Sequence, residues 1–204
     1  MKVLNLYAGI GGNRRLWDDV EVTAVEWDSK IAAIYQKFFP EDRVVVADAH
    51  QYLLDHYSEF DFIWASPPCQ THSQVRWAPM KGGLTKPYYP DLSLYQEIIF
   101  LQSVYRGKYC VENVVGYYEP LIKPQKLGKH YFWANFIIKE INIKGRLHDG
   151  TIKELEERKG FCLDGVSVDK EQVLRNCVEP ELGKAILESV WGGTQRRFEE
   201  WIPQ

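Results

Sequence analysis

Cysteine is scarce in this chain, and its spacing rules out the commonest zinc sites. Four occur in 204 residues, at positions 69, 110, 162 and 177. None forms the Cys-x-x-Cys pair that structural zinc sites use, so no metal is expected. A secretory leader is missing too: Met1-Lys2 runs into a short apolar strand, not a long apolar stretch. No apolar run approaches the roughly 18 residues of a membrane span, so no membrane association is expected. Together these absences suggest free thiols in a reducing cytosol. Excess positive charge is also lacking, since 25 Lys and Arg face 28 Asp and Glu for a net charge of −3. Chains that act on nucleic acid are often basic, so this balance lends that class no support; a local basic cleft would still suffice to meet phosphates. No Gly-x-x-x-x-Gly-Lys-Ser/Thr stretch is present, so nothing points to nucleotide hydrolysis. No internal repeat or low-complexity segment occurs.

What is present suits one folded domain, or one with a small appendage. The chain is 45% apolar, enough to close a core. Val3 to Tyr7 reads as a strand ending in Ala8-Gly9-Ile10-Gly11-Gly12, and Asn13 onward reads as a helix. Val22 to Val25 is a second strand, closed by Glu26-Trp27-Asp28. Ser29 then caps a helix that runs to about Phe39, with Pro40 beyond it. Val44 to Ala47 is a third strand ending at Asp48. Phe60 to Ala65 is a fourth, ending at Ser66-Pro67-Pro68-Cys69-Gln70. Residues 93 to 105 read as a helix, and Tyr109 to Val111 as a fifth strand ending at Glu112-Asn113. Strands alternating with helices imply a mostly parallel sheet covered on both faces. Lys81 to Pro87 reads as a mobile loop, and residues 147 to 171 as a charged, irregular insertion outside the core.

Polar and reactive residues recur at the C-terminal ends of these strands, where ligands bind in open α/β sheets. A glycine turn at 9 to 12 lets a ligand approach backbone N–H groups. Tight packing also calls for glycine, and the turn alone does not separate the two. Glu26 can accept hydrogen bonds from ribose hydroxyls, Trp27 offers a flat face to a purine, and Asp48 can accept from an exocyclic amine. Each also suits a helix cap or a core aromatic. Their order, one per strand end, favours an adenosine site.

Pro67-Pro68-Cys69-Gln70 is the most specific stretch. Two prolines stiffen the backbone and remove two donors, which is costly inside a sheet and sensible where a loop holds one side chain rigidly. The side chain so held is a thiol. A nucleophilic cysteine needs its thiolate, which nearby positive charge or a helix N-terminus favours; a small buried cysteine is the alternative. Glu112 follows the next strand, where partial burial would raise its pKa and let it donate a proton near neutral pH. A cap or salt bridge is its other reading.

These residues resemble the DNA cytosine-5 methyltransferase family. Asn5-Leu6-Tyr7-Ala8-Gly9-Ile10-Gly11-Gly12 is similar to its first motif, Glu26-Trp27-Asp28 to its second, and Asp48-Ala49 to its third. Pro67-Pro68-Cys69-Gln70 with Ser73 resembles the catalytic fourth motif, and Glu112-Asn113-Val114 the sixth. Arg175-Asn176-Cys177-Val178-Glu179-Pro180, then Gly183 and Ile186, resembles the last motif, which packs back beside the first. The resemblance implies a Rossmann-like methyltransferase fold and S-adenosylmethionine as cofactor, held by Tyr7, Ala8, Gly9, Gly11, Gly12, Glu26, Trp27, Asp48, Ala49, Pro68, Asn176 and Val178. It implies that Cys69, Glu112 and Asn113 are catalytic. The target cytosine is swung out of the duplex, Cys69 adds to C6, Glu112 holds the ring at N3 and the amino group, C5 takes the methyl group, and a base removes the C5 proton as Cys69 leaves.

The departures are specific. The family's eighth motif carries two arginines near a glutamine; the corresponding stretch here is Gly128-Lys129-His130-Tyr131-Phe132-Trp133-Ala134-Asn135-Phe136. Lys129 and Arg146 are the candidates for that role, beside Gln70, Ser73 and Arg76 as further substrate-binding residues. Tyr7 stands where the family usually has phenylalanine. The large target-recognition domain is reduced to the 30 residues from Arg146 to Arg175. The expected organisation is a catalytic core over 1–145, a small insert over 146–171 and a C-terminal segment over 172–204 that packs back. The expected partner is double-stranded DNA, with a dimer mate or separate recognition subunit to assist. The expected setting is the cytoplasm of a bacterium or phage-infected host, where such enzymes serve restriction-modification. Two rivals stay open: a cytosine-5 methyltransferase of tRNA, and a catalytically inactive binding subunit.

Overall fold

The computed structural model describes residues 1–139 and 150–192. The first strand, β1 (Lys2–Leu6), is buried apart from Lys2. Its alternating side chains feed two opposite cores, as the period of a strand requires. Leu4 and Leu6 face one side with Ile63 and Val111. Val3 faces the other with Phe62, Trp64 and Cys110. The remaining strands are β2 (Glu21–Glu26), β3 (Arg43–Val46), β4 (Phe62–Ala65), β5 (Lys108–Val114), β6 (Gln125–Leu127) and β7 (His130–Ala134). They form one sheet of order β3-β2-β1-β4-β5-β7-β6. The first five run parallel, and β7 pairs antiparallel with both β5 and β6. The strand order reverses between β1 and β4, which opens a crevice at their C-terminal ends.

Helices cover both faces, as the sequence implies. On one face lie α2 (Ala49–His56) and α4 (Ser93–Val104), which contribute Leu53, Leu94, Ile98 and Leu101 to the core. Each such side chain stabilises the fold by about 1.5–3 kcal/mol when fully buried. On the other face, α7 (Pro180–Gly192) packs Leu182, Ile186 and Leu187 against Trp17, Phe62 and Trp64. There α1 (Ser29–Phe38) shares a third cluster, around Tyr35 and Phe39, with α5 (Ile152–Lys159) and α6 (Lys170–Asn176).

The structure departs from the sequence reading in four places. The helix expected from Asn13 is a single 3-10 turn, Asn13–Leu16. Its Asn13 is buried and exchanges side-chain hydrogen bonds with Asn5 of β1. A helix for which the sequence reading has no element precedes the loop expected from Lys81: Ser73 caps α3 (Gln74–Lys81) by accepting from the Val75 N–H at 3.2 Å. The β6–β7 hairpin has no counterpart in the sequence pattern. Lastly, the charged stretch after residue 150 is core, not an irregular insertion. Thr151 and Glu154 close a capping box on α5, and Leu155, Phe161 and Leu163 are buried against Ile34, Tyr35 and Phe39. Spacing hides this, because the apolar residues of a mostly charged segment fall partly in a helix and partly in the turn after it. Lys159, almost fully buried, ties the segment to the Cys177 carbonyl and to Glu179 at 2.8 Å.

Candidate active site

The loop after β1 turns sharply. Tyr7, Gly9 and Gly11 all have left-handed backbones, with φ of 56°, 55° and 87°. Three contacts fix it. The Ala8 N–H donates to the Val25 carbonyl at 3.0 Å, and the Gly9 N–H donates to Glu26 Oε2 at 3.0 Å. The other oxygen of Glu26 accepts from the Asp28 N–H at 3.0 Å. Glu26 therefore braces the turn, and each carboxylate oxygen keeps lone-pair capacity for a ligand hydroxyl.

The glycines divide into two kinds. A Cβ on Gly9 would meet nothing within 4 Å, so that face is open to a ligand. A Cβ on Gly11 would lie 2.4 Å from the Phe39 ring, and one on Gly12 2.2 Å from Cys177 Sγ and 2.4 Å from the Val178 carbonyl oxygen. At 11 and 12 protein neighbours alone already require glycine. Val178 thus abuts the loop from behind, while Asn176 is exposed at the end of α6. Trp27 is 81% exposed at the end of β2. Asp48 caps α2 through the Gln51 N–H at 2.9 Å, and Ala49 behind it is buried. The open Gly9, the free Trp27 face and the two carboxylates fit an adenosine moiety along this edge.

Across the crevice, β4 runs into buried Pro67 and exposed Pro68. Asn113 of β5 donates from Nδ2 to the Pro67 carbonyl at 3.0 Å, stitching the two strand ends together. The Cys69 carbonyl accepts from the His72 and Ser73 N–H groups, both at 3.0 Å. Beyond it, the Tyr88 hydroxyl donates to the Gln70 carbonyl at 3.3 Å, and Thr71 Oγ1 accepts from the Asp91 N–H at 2.9 Å. Gln70 and Arg76 are exposed, and Ser73 is half-buried. The Cys69 thiol is half-buried, and burial first, then the Glu112 carboxylate, pushes its pKa up. Glu112 itself is buried, 7% exposed.

One residue the sequence reading passes over stands against Glu112. His130 Nε2 lies 3.7 Å from Glu112 Oε1. Antiparallel pairing sets Glu112 opposite Phe132 and Val114 opposite His130, so residues 112 and 130 share a sheet face. Lys129 is exposed in the hairpin turn, and its carbonyl takes the Val115 N–H at 2.9 Å. Only the pairing of β7 with β5 distinguishes these neighbours, and that pairing is not written in local spacing. Arg146 lies outside the described residues. Elsewhere, Glu156, Cys162 and Asp164 bring possible ligand atoms within 4.8 Å of one another, but the Leu163 N–H already occupies Glu156 Oε1 at 2.7 Å.

A glycine turn and carboxylates on one side of the crevice, facing a thiol and an acid on the other, define an α/β methyltransferase domain. The family model of the C-5 cytosine-specific DNA methylase matches residues 1–116. The chain belongs to that family, whose methyltransferases use S-adenosylmethionine. No curated protein matches the chain. Among solved structures, a DNMT2 mutant of Spodoptera frugiperda is 25% identical, over 57% of this chain and 36% of that one, with a TM-score of 0.41. The Entamoeba histolytica methyltransferase EhMeth is 17% identical, over 56% and 38%, at 0.38. A hypothetical protein of Thermus thermophilus is 17% identical, over 65% and 73%, at 0.41. The chain thus spans little more than a third of the first two. No helix among the described residues is long and apolar enough to cross a membrane.

Proposed function

We propose that the chain methylates C5 of cytosine in double-stranded DNA through a covalent Cys69 adduct. The observation that carries this reading is the convergence of Cys69 and Glu112 at neighbouring strand ends, close enough for the carboxylate to act on the thiol. S-adenosylmethionine, when bound, supplies the methyl group. Gly9, Glu26, Trp27 and Asp48 hold its adenosine, and Pro68 bounds the crevice between cofactor and base. Asn113 holds the Pro67 carbonyl and so sets where Cys69 stands.

Cys69 adds to C6 of a flipped cytosine. The S–C6 bond forms from the thiolate as the C5–C6 electron pair shifts toward C5, and a proton taken up at N3 is held in a hydrogen bond to Glu112, which stabilises the charge that develops on the ring. His130 faces Glu112 from β7 and takes the place assigned by sequence to Lys129. Gln70, Ser73 and Arg76 line the approach.

Duplex DNA carrying 5-fluorocytosine tests the reading, because fluorine cannot depart as the proton does. With S-adenosylmethionine present it traps a covalent complex through Cys69, and Cys69→Ser traps none while still binding the cofactor. Labelled-methyl assays on tRNA run beside it. Methylation of DNA without any trapped adduct removes Cys69 as the nucleophile, and methylation of tRNA alone overturns the choice of substrate.

A further inference from the structure

Glu97 is a buried carboxylate that the reaction above leaves unused. It lies on α4 and is 1% exposed, among Leu94, Ile98 and Leu101 of the same helix. An apolar side chain there would extend that core, whereas a buried carboxylate loses several kcal/mol of hydration unless it is paired. Two partners on one oxygen offset that cost in part, while Oε2 has no hydrogen-bond partner among the described residues. Oε1 accepts from the Tyr7 hydroxyl and meets His50 Nδ1 at 2.9 Å. Tyr7 opens the loop after β1, and His50 sits in the first turn of α2, two residues beyond Asp48. One oxygen atom of α4 thereby ties together the two strand-end loops that carry the proposed adenosine site.

Tyr7 needs such a tie. A non-glycine residue at φ 56° is strained by about 1 kcal/mol or more, and persists only where its surroundings over-determine it. Ala8 and Gly9 are fixed through their backbones by Val25 and Glu26. The phenol of Tyr7 is the side-chain end of the same clamp. Burial first, and then Glu97, push its pKa far above the ordinary value, so it stays a donor. The charges of Asp48 and Asp91 bear on both Tyr7 and His50 from the loops around them.

We infer that Glu97 is a positioning residue for the cofactor: through Tyr7 and His50 it sets the distance between the Gly9 turn and Asp48. This rests on the S-adenosylmethionine site proposed above. It also gives a reason for tyrosine at position 7, since phenylalanine there would remove the phenol donor and leave Glu97 tied to His50 but not to the Gly9 turn.

Calorimetry with S-adenosylmethionine and steady-state kinetics on Glu97→Gln, Tyr7→Phe and the double variant test the inference. Each single variant weakens cofactor affinity by about three- to tenfold, within the range that loss of one ordinary hydrogen bond produces. The KM for S-adenosylmethionine rises correspondingly while kcat at saturating cofactor holds, which simple loss of fold does not produce. The double variant loses little beyond either single one, because both remove one clamp. Tyr7→Phe deletes only a hydroxyl and keeps the test open if Glu97→Gln does not fold. Cofactor affinity in Tyr7→Phe within about twofold of the wild type, a change too small for a coupled pair, would overturn the inference. Failure of the wild-type chain itself to bind S-adenosylmethionine would instead remove the cofactor site on which it rests.

Discussion

At the scale of single residues, Cys69 and Glu112 oppose each other before any base arrives. Burial and the Glu112 charge both disfavour the thiolate. Neutralising Glu112 removes one of those two causes and leaves the other. The thiol pKa of Glu112→Gln therefore falls relative to the wild type. At about pH 8, where a thiol of raised pKa is mostly protonated, iodoacetamide alkylates Cys69 faster in the variant, although methyl transfer is lost. The measurement must be made on the Cys69 peptide by mass spectrometry, because Cys162 is exposed and reacts as well, whereas Cys110 and Cys177 are buried. A slower or unchanged Cys69 rate would show that the carboxylate does not govern the thiol.

At the scale of elements, the glycine turn and the C-terminal segment make a single packed unit. Gly12→Ala puts a methyl group into Cys177 Sγ and into the Val178 carbonyl. The backbone oxygen cannot step aside as a flexible side chain can, so the variant loses about 1–3 kcal/mol of stability. Pairing it with Cys177→Ala restores little of that, because the Val178 contact remains; urea unfolding of both variants checks the order. The bridge between α2 and α4 has its own pH dependence. The pKa of His50 is raised, first by its hydrogen bond to Glu97. Its stabilisation is fully present below the unfolded pKa of about 6.5 and is lost as pH rises through the folded value. The stability gap between wild type and His50→Gln is accordingly wider at about pH 6 than at about pH 9. Much of this element structure is legible in the sequence. The five parallel strands stand on the apolar runs read from sequence, four of them as buried runs and β3 as a half-exposed one, although β5 continues through Glu112 to Val114 where the sequence reading ended it at Val111. The β6–β7 hairpin is not legible, since Gln125–Leu127 is short and half polar and exists through pairing with β7. His130 escapes notice for the same reason. Glu97 reads as an ordinary helix residue, since nothing in the sequence says which face of α4 meets Tyr7.

At the scale of the whole molecule, the packing of the segment after residue 150 and the proposed DNA contact draw on different residues. Sequence places a reduced recognition region over residues 146–171, of which 146–149 lie outside the described residues. Three of its large apolar residues are spent on packing: Leu155 is fully buried with Phe161 and Leu163 beside Tyr35 and Phe39. With a net charge of −3 over the chain, DNA contact depends on local basic groups near the crevice. Arg76 on α3 is exposed, and Lys81 lies over the Trp77 ring at 4.8 Å, itself stacked on Tyr117. Two substitutions separate the roles. Leu155→Ala opens a cavity and costs about 2–4 kcal/mol of stability, while the salt dependence of DNA binding and the methylated sequence stay as in the wild type. Arg76→Ala leaves the unfolding midpoint nearly unchanged, weakens DNA binding, and lowers the slope of log affinity against log salt by about one if it holds one phosphate. A segment spent on packing reads few base edges, and each good bidentate base contact supplies only about 1–3 kcal/mol of discrimination. The methylated site is therefore short or relaxed unless a partner assists. Denaturation curves, salt titrations and methylome sequencing of the two variants decide the matter. If Leu155→Ala changes the methylated sequence without loss of stability, α5 belongs to the DNA interface and this division fails.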